Sequence, residues 1–349
     1  MIQDNKGQDD ERIYEREIFG KRIFLAAIII AAIAVSLTMS GCASQKEEAP
    51  KVYHVGILSG LSFFGKTVDG FKSGMASLGY IEGENIVYDV QETNFSQDAY
   101  RKILQKFVDD KVDLIFVYPT EAAQEAKAVT QGAGIPVLFA HSGIENTDLV
   151  DSVREPGGDI TGVRLPAPDL AAKHLEILLE LDPKIKRVCV TYLRGYPLIP
   201  SEMEALNETA KLSGVTLVEA PADNSTELEA WFAAREKSDD IGFDAILMIP
   251  EPLDAFPAIA TFAYKHRLPF GGATNTFGNY SSIFGFMPDN AAVGKLAAPM
   301  ADKILKGTPA GTIPVVSPEG YLLIDVKAAE QLGVTVPESL LSQANEIIR

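Results

Sequence analysis

From Tyr53 onward, short runs of apolar and β-branched residues alternate with stretches whose apolar positions recur at helical spacing, and this rhythm restricts the fold most. The runs at 54–60 (HVGILSG), 85–93 (NIVYDVQET), 112–118 (VDLIFVY) and 135–141 (IPVLFAH) have strand length and composition. Between them, residues 66–78 place Val68, Phe71, Met75 and Leu78 on one helical face, and 99–109 do so with Ile103, Leu104, Phe107 and Val108. Thr120 is expected to N-cap the following helix. Strands that are apolar throughout, alternating with helices, predict a parallel sheet covered on both faces.

The rhythm restarts after Thr161-Gly162-Val163. Helices are expected at 169–181, 201–212, 226–237 and 253–266, and strands at 187–192, 215–220, 243–249 and 268–271. Two α/β lobes with parallel sheets follow. A strand at 280–286, a helix at 289–306 and a strand at 320–326 are left over, so the chain is expected to cross between lobes more than once. That assigns 52–162 plus about 280–311 to the first lobe and 163–279 plus about 312–349 to the second. Several crossings make a hinge.

Ahead of the lobes, the uncharged run Ile23–Met39 follows Lys21-Arg22 and leads into Met39-Ser40-Gly41-Cys42. Small residues before a cysteine resemble the bacterial lipobox, at which the cysteine is lipidated and becomes the new N-terminus. The expectation is a lipoprotein signal peptide over 1–41, a lipid on Cys42 and a tether over 42–51. An uncleaved anchor is the alternative, and both place the domain outside the cytoplasm.

The net charge of -17 would repel nucleic acid. Beyond Cys42 the chain has one other cysteine, Cys189, set in an apolar run as an inert thiol. Four scattered histidines form no HxxxH or HExxH, so neither metal nor cofactor is expected. No GxGxxG turn, GxSxG elbow or phosphate-binding loop is expected, so nothing points to an enzyme.

The strings Gly70-Phe71-Lys72, Leu78-Gly-Tyr-Ile-Glu-Gly-Glu-Asn85, Val112-Asp-Leu-Ile115, Ile135-Pro-Val-Leu-Phe139, Arg154-Glu-Pro-Gly-Gly-Asp-Ile-Thr-Gly162 and Lys303-Ile-Leu-Lys-Gly307 give the chain, from about Val52 to Val334, a family resemblance. It resembles the ABC-transporter substrate-binding proteins related to tryptophan- and tyrosine-binding lipoproteins, which have the type I periplasmic-binding-protein fold. The resemblance implies two Rossmann-like lobes joined by a multi-crossing hinge, a small-molecule ligand, an ABC permease with its cytoplasmic ATPase as partner, and a monomer. A sensor that presents its bound state to a membrane receptor would share the fold.

Ligands of open α/β sheets bind beyond the carboxyl ends of strands. The candidate contacts in those loops are Ser59, Phe63, Phe64, Tyr118, Thr120, Glu121, His141 and Ser142 from the first lobe. Tyr192, Glu251, Thr274 and Asn275 come from the second, and Asp289 opens the helix after a crossing. The resemblance supports Ser59, Thr120 and Asp289. Asp289 or Glu251 would take an ammonium, Thr120 and its helix N–H groups a carboxylate, and the aromatics a flat ring. Capping suits Thr120 and Asp289 equally, and Glu251 suits a solvated loop. The family's Thr-Asp-Pro after the fourth strand is replaced by Ala140-His-Ser-Gly-Ile-Glu145, and its Gly-Ala-Leu-Ala by Ser281-Ser-Ile-Phe-Gly-Phe286. Aromatic amino acids lead by resemblance, with other small flat solutes open.

Overall fold

The computed structural model describes residues 51–272, 276–277 and 279–349. The expected leader and Cys42 lie outside the described residues. The first sheet holds β1 (Tyr53–Ser59), β2 (Ile86–Glu92), β3 (Leu114–Tyr118), β4 (Val137–Ser142) and β5 (Ile160–Arg164), all parallel in the order β2-β1-β3-β4-β5. Every residue of β3 and β4 is buried, as unbroken apolar runs require, with an apolar cluster on each face of the sheet. Helices α1 (Lys66–Ser77), α2 (Gln97–Asp109) and α3 (Thr120–Val129) connect these strands. The face Val68, Phe71, Met75 of α1 is buried as expected, but Leu78 follows the helix as its C-cap and is exposed.

After β5 the chain enters α4 (Ala167–Leu181) and builds a second sheet. Its strands are β6 (Arg187–Leu193), β7 (Thr216–Ala222), β8 (Ala245–Met248) and β9 (Phe270–Gly272). A separate hairpin, β10 (Thr276–Phe277) with β11 (Tyr280–Ser281), precedes β12 (Phe284–Met287), β13 (Tyr321–Asp325) and β14 (Glu346–Ile348). The order is β14-β13-β12-β9-β8-β6-β7, parallel except that β13 runs against β12 and carries β14 with it. Helices α5 (Ile199–Ser213), α6 (Ser225–Arg235) and α7 (Phe256–His266) connect β6 to β9.

The strand expected at 280–286 with the first lobe belongs to the second sheet. Phe284 stands in register with Gly271 on one side and Ile324 on the other. Its ring lies over Gly271, where a Cβ would come within 2.3 Å, so the missing side chain lets β12 dock there. The return to the first lobe therefore follows Met287. There α8 (Asn290–Leu305) packs closely on α1, because Gly70 and Gly294 bring the two backbones together. A Cβ at Gly70 would lie 2.0 Å from Ala291 O, and one at Gly294 2.1 Å from Thr67 O. The chain then runs beside β5, with Val316 N donating to Gly162 O and Arg164 N to Val316 O, before entering β13. The helices α9 (Val326–Leu332) and α10 (Glu338–Gln343) finish the second lobe. The passages after β5, after β12 and before β13 supply the crossings.

Candidate functional site

The carboxyl ends of β1, β3 and β4 meet on one edge of the first sheet. Phe64, in a 3₁₀ turn after β1, is buried and stacks on His141 with ring centroids 4.1 Å apart and 16° between planes. Tyr118 meets both rings edge-on. A register shift between β4 and β5 and a φ of 46° at His141 aim that imidazole into the cluster. There its Nε2 lies 2.8 Å from Thr67 Oγ1. Burial holds the imidazole's pKa down to about 3, so the ring is neutral. Ser142 is also satisfied, its hydroxyl donating to Ala140 O. Ser59 Oγ and Tyr118 Oη are buried and have no hydrogen-bond partner among the described residues. Phe63 is 49% exposed, and its carbonyl accepts from Asn290 Nδ2, which ties this turn to α8.

Contrary to the expectation of no such motif, Gly60-Leu-Ser-Phe-Phe-Gly-Lys-Thr67, running from the end of β1 into α1, has the spacing of a phosphate-binding loop. The structure does not form the cradle. Three of its N–H groups are spent internally: Gly60 donates to Tyr118 O, Phe64 to Leu61 O and Gly65 to Ser62 O. Thr67 Oγ1 faces His141.

Thr120 does not cap its helix. Pro119 holds the N-cap position of α3, and Thr120 Oγ1, fully buried, accepts from Gly143 N at 3.0 Å. Pro119 displaces it because the chain turns into the helix one residue earlier, leaving Thr120 to join the ends of β3 and β4. Asp289 caps α8, accepting from Ala292 N at 2.7 Å. Tyr192 donates to Glu219 on the neighbouring strand. Glu251 accepts from Leu193 N (3.0 Å) and Leu253 N (2.7 Å), so it fastens the end of β6 to the loop after β8 where a solvated acid was the alternative. Burial, opposed by those two N–H groups, raises its pKa to about 7. Thr274 and Asn275 lie outside the described residues.

The lobes touch where Gly143, after β4, meets Leu198, ahead of α5: a Cβ on Gly143 would come within 2.4 Å of Leu198 Cδ2. Beside this contact opens a cleft of about 660 Å³, lined by Phe95, Gln97 and Glu121 from one lobe and by Arg194, Tyr196 and Asp223 from the other. Both Glu121 oxygens are buried and have no hydrogen-bond partner among the described residues. Burial raises its pKa, the neighbouring Tyr196 hydroxyl pulling the other way. The aromatic cluster of Phe64, Tyr118 and His141 does not line this cleft. A second hollow of about 490 Å³, beside α3, contains none of the expected residues.

Glu202, on the first turn of α5, was not among the expected residues. It is 0% exposed, and neither of its oxygens has a partner among the described residues. Burial pushes its pKa up, with Glu251 and Glu145 adding to the rise. The signal was present: Glu202 falls with Ile199, Met203, Leu206 and Ala210 on the buried stripe of α5, where a charge needs a reason. Among the described residues no cluster suits a metal ion, and no helix is long and apolar enough to cross a membrane.

A family model described as ABC transporter substrate binding protein matches residues 55–348. A tyrosine-binding protein of Clostridioides difficile (strain R20291) is 26% identical over 255 residues, covering 72% of this chain and 71% of that protein. The solved structure of a conserved domain protein from Vibrio cholerae aligns with a TM-score of 0.74 at 26% identity, covering 85% of this chain and 100% of its own. An ABC domain from Streptococcus pneumonia in complex with L-Trp gives 0.75 at 23% identity, with coverage of 85% and 100%. The last likeness bears on the fold, which is that of the type I periplasmic binding proteins. The family is one of substrate-binding proteins, not of enzymes.

Proposed function

Because the chain belongs to the ABC transporter substrate-binding protein family, we propose that it is the lipid-anchored solute receptor of an ABC importer. The family works outside the cytoplasm, and the string before Cys42 supports a lipid there as the anchor. The lobes close on a small organic ligand and present it, as a monomer, to a permease driven by a cytoplasmic ATPase. The observation that carries this reading is the cleft of about 660 Å³ with lining residues from both lobes. The tyrosine-binding relative favours an aromatic ring in the ligand.

A ligand that binds only the folded state raises the melting temperature. Tryptophan, tyrosine or phenylalanine is expected to do so for the whole chain in detergent, and silence from all three beside a response to another solute class would remove the aromatic assignment. For the anchor, Cys42→Ser should move the protein from the membrane fraction to the soluble one. Unchanged membrane retention of that variant rules out the lipid.

A further inference from the structure

We propose that Phe95 is the platform on which the ring of the ligand rests, and that closure covers this ring with the apolar strip Leu193, Tyr196 and Pro197 of the other lobe. This deepens the binding reading above and rests on it.

Phe95 lies in the turn between β2 and α2, where it is 36% exposed and lines the cleft. Among the described residues lining that cleft, the first lobe supplies four polar side chains and one apolar one, which is Phe95. The second lobe supplies Leu193, Tyr196 and Pro197. Leu198, which meets Gly143 of the first lobe, directly follows this strip, so the strip lies where closure acts. An apolar ring left open in a concave, otherwise polar wall marks a surface that a ligand covers.

Charged groups around the cleft are already matched. Arg194 is held by Asp223 at 2.8 Å and by Glu227 at 2.6 Å, and Glu125 by Arg101 at 2.6 Å. With these charges paired, the apolar surfaces are what a ligand can still cover, and a flat ring offers one face to each lobe.

The backbone supplies an independent observation. Phe95 has a φ of 57°, in the left-handed region that bulky residues rarely hold. Glycine or asparagine would adopt that conformation with less strain, but either would take the ring out of the cleft. Strain of this kind gathers where a ligand is held. The turn is fastened to the end of β1: Phe95 N donates to Gly60 O at 2.8 Å, Tyr100 Oη to the same oxygen at 2.9 Å, and Thr93 N to Ser59 O at 2.9 Å. The platform is therefore in place before a ligand arrives, which lowers the ordering cost of binding.

Calorimetry with tryptophan, tyrosine and phenylalanine on the whole chain in detergent tests this. Asparagine suits the left-handed backbone, so Phe95→Asn should keep or raise the melting temperature while weakening binding of the ring-bearing amino acid roughly tenfold or more. Phe95→Tyr keeps the ring and should bind as the unsubstituted chain does. On the opposite lobe, Tyr196→Leu should weaken binding and Tyr196→Phe should not. If the unsubstituted chain binds one of the three amino acids and Phe95→Asn binds it equally well, the platform is overturned and the importer reading stands. A loss in Phe95→Tyr as large as that in Phe95→Asn overturns it as well, because the ring is then not what matters. A response only to solutes without a ring overturns this proposal and the aromatic assignment together.

Discussion

Glu251 accepts through one oxygen, Oε2, from two N–H groups, one at the end of β6 and one in its own loop, yet burial still lifts its pKa to about 7. Its unfolded value is near 4.3, so between those limits the native state holds the proton more tightly. Stability from this group is therefore complete below about pH 4.3 and is lost as pH rises toward about 7. Glu251→Gln keeps an oxygen for both N–H groups and removes the titration. Urea unfolding should show stability falling less between pH 5 and 7 in the variant, by about 1–3 kcal/mol; an identical fall in both proteins refutes the assignment. Residue roles of this kind were poorly legible. Nothing in Ile249-Pro-Glu-Pro252 tells that the carboxylate reaches back to Leu193, 58 positions away in sequence. Thr120 is similar: its own helix was the obvious partner, and Gly143 is the actual one.

At the scale of elements, periodicity told most of what the chain forms. The continuous apolar runs became β1, β3, β4, β6 and β8, and the helical stripes became α1 and α2 with Phe71, Met75, Leu104 and Phe107 buried. Local chemistry fixes these because burial on one face or both is written in the spacing. Strand partnership was not local. Phe284–Met287 is four residues long, and its sheet is chosen by the bare backbone at Gly271 and by Ile324, neither of them adjacent in sequence. The same holds for β13 and β14: β13 pairs antiparallel with β12, and β14 pairs parallel with β13.

Across the whole molecule, closure depends on how near the lobes can come. Gly143 and Leu198 are in contact, and a larger side chain at 143 would hold the lobes apart. Gly143→Val should raise the radius of gyration of the ligand-loaded protein measured by X-ray scattering and weaken ligand binding roughly tenfold, which is about 1.4 kcal/mol. Adding Leu198→Ala should recover most of the affinity by making room. If the single variant closes and binds as before, the contact does not limit closure.

The sequence by itself determined the α/β class, the repeated lobe pattern and the family, because strand and helix periodicity and short turn-bearing strings are local and survive without coordinates. Only the tertiary structure decided which acids are buried. Glu202 reads as an ordinary acid at a helix start, and Glu121 as another. Their burial without partners comes from the sheets and crossings that pack around α3 and α5, and desolvation is a property of that assembly and not of either helix.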